Sequence, residues 1–302
     1  MKGEEQSEAR GVVNPGGGGH TVKVLITGAG GMLGQALVRV LSGHDLVPLT
    51  REALDVTDGQ AVERAIRTAA PKVVVHAAAW THVDACEADP DRAFRVNAHS
   101  TRHVALACRA RGAACCYIST DYVFDGTKPD PYLEEDAPNP LSVYGASKLA
   151  GEREIQAHLD RFWIVRTSWL YGPGGRHFVG AILARAKAGE SLRVVSDQVG
   201  APTLTVDLAE ALATLIRTQA YGTYHLTNGG ACSWYDFALR ILQLSGLGTT
   251  PVKTVSSAEL HRPARRPANS RLKNARWEAL GQRPLRSWEA ALEDYLRASS
   301  GR

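Results

Sequence analysis

Cysteine, long apolar runs and net charge are all scarce in this sequence, and each scarcity removes a class of protein. The five cysteines are Cys86, Cys108, Cys115, Cys116 and Cys232. Their number is odd, and no CxxC pair or Cys/His ligand spacing occurs, which argues against a disulfide framework and against a zinc site. Cys115-Cys116 lies in an apolar run, where cysteine acts as a small hydrophobe. Reduced, buried thiols in a cytoplasmic protein are the expectation. No stretch approaches the roughly 18 to 20 apolar residues of a membrane helix. The first 20 residues are polar and end in Asn14-Pro15-Gly16-Gly17-Gly18-Gly19-His20. They hold no apolar signal-peptide core and read as a disordered leader. Basic residues number 35 and acidic ones 31, a net charge of +4, too mild a balance to imply nucleic acid. Much of the excess sits in His261-Arg262-Pro263-Ala264-Arg265-Arg266.

What the chain does contain is alternation. Val22–Thr27, Leu46–Leu49, Val73–Val75, Cys115–Ser119 and Phe162–Arg166 read as strands. Between them, helical spacing covers Met32–Leu41, about Gly59–Ala70, Arg92–Arg111 and about Val143–His158. Strands separated by helices predict an α/β fold with a doubly wound parallel sheet of Rossmann type. After Tyr171 the rhythm loosens, with short strands at Arg193–Val195 and Thr223–Leu226. The expected division is a dinucleotide-binding domain over 21–170 and a smaller α/β substrate-binding domain over 171–302, some segments returning to the main sheet.

Thr27-Gly28-Ala29-Gly30-Gly31-Met32-Leu33-Gly34 follows the first strand and opens the first helix. Glycines at 28, 31 and 34 permit a tight turn, approach of a pyrophosphate and close helix–strand packing. The helix N-terminus offers free N–H groups to the phosphates. At the end of the second strand, where many dinucleotide enzymes meet the adenosine ribose, stand Thr50 and Arg51. An arginine there suits a 2′-phosphate, hence NADPH, although Glu52 beside it keeps NADH open.

The sharpest signal is Tyr144-Gly145-Ala146-Ser147-Lys148. Four residues apart on a helix, Tyr144 and Lys148 reach one site together. The ammonium is expected to draw the tyrosine's pKa down from about 10, so that the phenol donates a proton to a carbonyl as hydride arrives. A hydroxyl at the end of the fourth strand, Ser119 or Thr120, would orient that carbonyl; spacing does not choose between them.

Several further stretches carry a resemblance. These are Ala77-Ala78-Ala79-Trp80-Thr81, Ser119–Gly126 (STDYVFDG), Arg166–Gly172 (RTSWLYG), Asp197–Thr203 (DQVGAPT) and Arg266–Leu272 (RPANSRL). With the glycine turn and the tyrosine–lysine pair, they run in order from Val22 to the C-terminal helix. The chain resembles the dTDP-4-dehydrorhamnose reductase family of the extended short-chain dehydrogenase/reductase superfamily. That resemblance implies NAD(P)H-dependent reduction of the C4 keto group of a dTDP-4-dehydro-6-deoxy-L-hexose, and it leaves room for a homodimer.

By the same resemblance the catalytic residues are Thr120, Tyr144 and Lys148, with Thr120, Asp121 and Trp169 around the sugar. Gly31, Met32 and Leu33 would meet the pyrophosphate, and Asp55 and Val56 the adenine. Ala79, Trp80, Thr81 and Ile118 would face the cofactor's inner half. Without the resemblance, Asp55 is simpler as part of a helix start at Thr57 or Asp58, and Trp169 as a core aromatic. His76 reads as a buried core histidine, and Glu134-Glu135-Asp136 as a solvated loop rather than a metal site. Arg265, Arg266 and Arg271 suit a diphosphate or a basic surface equally.

Two rivals stand beside the leading reading. One is reduction, epimerisation or dehydration of a related nucleotide sugar; Asp121 alone supplies no second acid/base carboxylate for dehydration. The other is a binding-only regulatory subunit resembling the β subunit of methionine adenosyltransferase, which carries Ser-Ser-Asp-Tyr where this chain has Ser119-Thr120-Asp121-Tyr122.

Overall fold

The computed structural model describes residues 21–300, so the expected leader lies outside the described residues. Five strands follow the predicted order: β1 (Lys23–Thr27), β2 (Asp45–Leu49), β3 (Val73–His76), β4 (Ala114–Thr120) and β5 (Phe162–Thr167). Together with Gly222–His225 they form one parallel sheet in the order Gly222–His225, β5, β4, β3, β1, β2. All of β3 and β4 is buried, as both faces of a parallel sheet must be when helices cover them.

Alternate residues feed two cores. Val24, Ile26, Val73, Val75, Cys116 and Ile118 pack under helix α1 (Met32–Val40) and the helix Thr205–Leu215. Leu25, Val74, Cys115, Tyr117 and Ile164 pack under helix α2 (Gly59–Ala69), Ser100–Arg111 and Val143–His158. A third cluster joins the helices Phe178–Lys187, Trp234–Leu244 and Trp288–Ser300 through Ile182, Phe237, Ile241, Trp288 and Leu292. Its strand Leu192–Val195 pairs in parallel with Val252–Val255, apart from the main sheet.

Chain order reverses between β1 and β3, because β2 lies outside β1 while β3, β4 and β5 run the other way. Doubly wound sheets open a ligand crevice at such a switch, beyond the carboxyl ends of the strands. Gly28, Ala77, Asp121 and Ser168 each follow a strand at that edge.

The single helix expected over Arg92–Arg111 is in fact three pieces. Pro90–Phe94 leads into a π-helical turn, Arg95–His99, before the α-helix Ser100–Arg111. The wider turn carries Asn97, whose amide brackets Trp80: Oδ1 accepts from Trp80 N (2.8 Å) and Nδ2 donates to Trp80 O (3.1 Å). Asn97 Nδ2 also donates to Ser147 Oγ (3.0 Å). Hydrophobic periodicity does not register one inserted residue, so the sequence shows a continuous helix. Among the described residues no helix is long and apolar enough to cross a membrane.

Candidate active site

The glycine turn is shaped by close packing on one side and openness on the other. Gly28 has φ of +69°, and a Cβ there would come within 2.7 Å of Ala78 N. A Cβ on Gly34 would overlap the Gly28 carbonyl, so α1 rests directly on the turn. Gly31 caps α1 without any side-chain hydrogen bond, and the first turn holds no acidic residue. A Cβ on Gly31 would meet only Gly28 O, at 3.4 Å. The N–H groups of Met32 and Leu33 therefore open onto the cleft with no side chain of their own turn competing, which fits a pyrophosphate.

The helix Val143–His158 starts where Ser142 Oγ accepts from Gly145 N (3.2 Å). It lies so close to β4 that a Cβ on Gly151 would overlap the Tyr117 hydroxyl. That approach buries both Tyr144 and Lys148. Lys148 Nζ sits 4.0 Å above the Tyr117 ring. Burial presses its pKa down to about 7, against the pull of the Glu152 carboxylate. Burial likewise pushes the Tyr144 phenol above its ordinary value, with the Thr120 hydroxyl pulling the other way. This corrects the expected lowering by Lys148: in a dry site desolvation of the phenolate outweighs it, and the lysine lies over Tyr117. A protonated Tyr144 is the form a proton donor needs.

Strand alternation turns the Ser119 and Thr120 hydroxyls to different partners, although both residues line the cleft. Ser119 Oγ donates to Glu152 Oε1 at 2.5 Å, while Thr120 Oγ1 donates to Asp121 Oδ1 at 3.0 Å and accepts from Tyr122 N at 3.2 Å. Asp121 is buried, its Oδ2 lacks a hydrogen-bond partner, and burial raises its pKa to about 7. An orphaned acceptor at a cleft wall is costly unless a ligand donates to it.

These groups share one cleft of about 430 Å³ at the switch point. It brings together Gly28, Gly31, Met32 and Leu33 from the turn with Ala79 and Thr81 after β3. Ile118, Thr120, Asp121, Tyr144, Lys148 and Trp169 complete the set of expected residues there. The remaining expected residues stand elsewhere. The Trp80 ring packs with Cys86, Ala93 and Tyr144, under the Arg92 guanidinium at 4.5 Å. Thr50 lies beside Gly30, and Arg51 is exposed just past β2. Asp55 accepts from Thr57 N (2.9 Å) and Thr57 Oγ1 (2.7 Å), Val56 is buried, and Asp58 caps α2.

Sequence reasoning missed Trp234 on the cleft wall. Its ring lies flat on that of Trp169, and nothing local in Cys232-Ser233-Trp234 signals such a partner. The Glu134-Glu135-Asp136 expectation also needs correction. Glu134 is buried, its Oε1 accepting from His225 N (3.2 Å) and Arg276 N (3.1 Å), backbone donors distant in sequence, while its Oε2 has no hydrogen-bond partner. His76 is a buried histidine, held between Thr27 Oγ1 (2.7 Å) and Thr101 Oγ1 (3.2 Å) and kept neutral by burial. All five cysteines are free and buried.

Arg266 pairs with Asp84 (2.8 Å) at the cleft's flank, and Arg271 Nε donates to Asn269 Oδ1 (2.9 Å). Arg265 lines a separate hollow of about 360 Å³ with His261, Arg262 and Gln198.

Known proteins share this architecture. The family described as RmlD substrate binding domain matches residues 22–300. A dTDP-4-dehydrorhamnose reductase of Streptomyces griseus is 44% identical over 286 residues, covering 92% of this chain and 94% of that protein. A dTDP-4-keto-6-deoxy-D-glucose reductase of Streptomyces niveus is 39% identical over 275 residues, covering 90% and 96%. The crystal structure of a dTDP-4-dehydrorhamnose reductase from Bacillus anthracis in complex with NADP superposes with a TM-score of 0.90. It is 39% identical, over 92% of this chain and 100% of that one. With residues 22–300 matched, this chain belongs to the RmlD substrate binding domain family, the family of the dTDP-4-dehydrorhamnose reductases.

Proposed function

We propose that this protein reduces the C4 keto group of a dTDP-4-dehydro-6-deoxy-L-hexose with NADPH. The observation that carries this reading is the convergence of the glycine turn, Tyr144, Lys148, Thr120 and Asp121 on one cleft. NADPH, when bound, supplies the hydride. Gly28, Gly31, Met32 and Leu33 hold its pyrophosphate, Thr50 and Arg51 its ribose 2′-phosphate, and Asp55 and Val56 its adenine. Ala79, Thr81 and Ile118 line its inner half, Trp80 backs them from its packing behind Tyr144, and Lys148 holds the nicotinamide ribose. Thr120 aligns the keto oxygen, Tyr144 gives its phenolic proton to that oxygen, and Asp121 and Trp169 hold the sugar.

The nucleotide's diphosphate suits the basic hollow beside the cleft, where Arg262 and Arg265 stand free of ion-pair partners among the described residues. Residues 21–170 then act as the dinucleotide-binding domain. Residues 171–302 act mainly as the substrate domain, a division supported by the separate third cluster. Buried free thiols favour the cytoplasm, and a homodimer is compatible with this reading.

A second substrate is favoured by one relative, named for a dTDP-4-keto-6-deoxy-D-glucose. Oxidation of NADPH should therefore be followed with dTDP-4-keto-L-rhamnose and with the D-gluco isomer, each product being assigned by NMR. Turnover of the second sugar alone moves the assignment to it. Turnover of neither by folded protein removes the enzyme reading in favour of a regulatory subunit.

A further inference from the structure

The helix that carries Tyr144 and Lys148 carries a third polar residue in the same four-residue series, Glu152, and it is completely enclosed at 1% exposure. A carboxylate is stable there only if several donors satisfy it. Ser119 Oγ donates to its Oε1 (2.5 Å), Arg166 Nε to the same oxygen (3.0 Å), and Arg166 Nη2 to Oε2 (2.7 Å). Ser119 is the residue before Thr120 on β4, and Arg166 lies opposite Ser119 on β5.

We propose that Glu152 is a positioning residue for the reaction: one helical turn from Lys148 and buried with it, its carboxylate favours the ammonium form of the lysine, and through Ser119 it fixes the strand end that presents Thr120. The idea rests on the reductase reading only in placing Lys148 at the reacting centre. Without a nearby anion, burial alone would favour the neutral amine, and Glu152 is the group that opposes this. Among the described residues the other groups beside Lys148 supply no such anion, and Asp121 in the same cleft keeps its proton up to about pH 7. His76 from β3 is neutral and fully hydrogen-bonded, Tyr117 from β4 presents its ring, and Tyr144 stays protonated. The ion pair with Arg166 holds the carboxylate in place, and its bidentate geometry fixes the orientation.

The test is a direct titration of Lys148 by NMR on lysine-labelled protein, assigned with Lys148→Met and read without substrate or turnover. Glu152→Gln removes the anion and leaves the Arg166 cation, so the Lys148 midpoint should fall by about one pH unit or more. Arg166→Met takes away the cation that keeps Glu152 ionised, so the carboxylate should take up a proton and the midpoint should fall here too, while Arg166→Lys should keep it near wild type. The alkaline limb of kcat against pH should move with the midpoint in each variant. If Glu152→Gln does not fold, the fall in Arg166→Met and its rescue by Arg166→Lys decide the matter. A Lys148 midpoint unmoved in the folded variants overturns the proposal, even if their melting temperatures drop. A shifted midpoint in a protein that turns over no sugar would instead overturn the reductase reading and leave the electrostatic role standing.

Discussion

The rings of Trp169 and Trp234 lie face to face, 3.5 Å between centroids and 7° between planes, on the wall of the cleft that Tyr144 and Lys148 also line. Trp169 reaches this position from a left-handed backbone, φ 45°, which costs a non-glycine residue energy. Gly200 makes room for it, since a Cβ there would come within 2.5 Å of the indole. A strained residue held by a flat partner and a missing side chain is a built wall of the site.

Removing either member of the stack should therefore loosen the sugar pocket and spare the cofactor. Trp169→Ala and Trp234→Ala should each raise KM for the sugar nucleotide about tenfold, the scale of an aromatic pair, and lower kcat. The NADPH dissociation constant should stay near wild type. Losing about 3 to 5 kcal/mol of stability with unchanged kinetics in the folded fraction would make the pair core packing instead.

Tyr144→Phe keeps the packing against Trp80 and Tyr122 but removes the proton. We expect kcat to fall at least roughly 100-fold, the lower end of general acid catalysis, with NADPH binding intact. A variant keeping a tenth of wild-type kcat would require another acid.

Arg51 is exposed just past β2, with no salt-bridge partner among the described residues. Its substitution by alanine should weaken NADPH binding by about 1 to 3 kcal/mol, the scale of a charge-assisted hydrogen bond, and leave NADH alone. Titration of both cofactors checks this, and equal losses would remove Arg51 from the 2′-phosphate.

Asp121 sets a pH dependence. Its pKa is raised to about 7 in the folded protein, above the roughly 3.9 of an unfolded aspartate. The folded state keeps a proton that the unfolded chain has released. The stabilising contribution is thus complete below about pH 4 and disappears as pH rises through about 7. Asp121→Asn should be the more stable protein at about pH 8, by about 1 to 3 kcal/mol, and the advantage should shrink toward about pH 5. Melting curves across that range would show it, and a constant difference would refute the buried titration. Sugar binding should weaken in the same variant.

What the sequence determined by itself is the set of elements whose signals are local. Apolar runs and turn residues marked the five central strands to within a residue or two, and helical spacing marked the span of Val143–His158. The glycine turn and the tyrosine–lysine pair were legible because each is a short contiguous pattern fixed by backbone geometry. Tertiary structure alone decided which polar groups meet. It turned Ser119 to Glu152 and Thr120 to Asp121, sank Glu134 beneath the backbone of His225 and Arg276, and laid Trp234 on Trp169. It also inserted the π turn that brings Asn97 to Trp80. The physical reason is common to these cases. A buried carboxylate or a stacked ring is stable only through partners contributed by distant strands and helices, and no local periodicity carries that information.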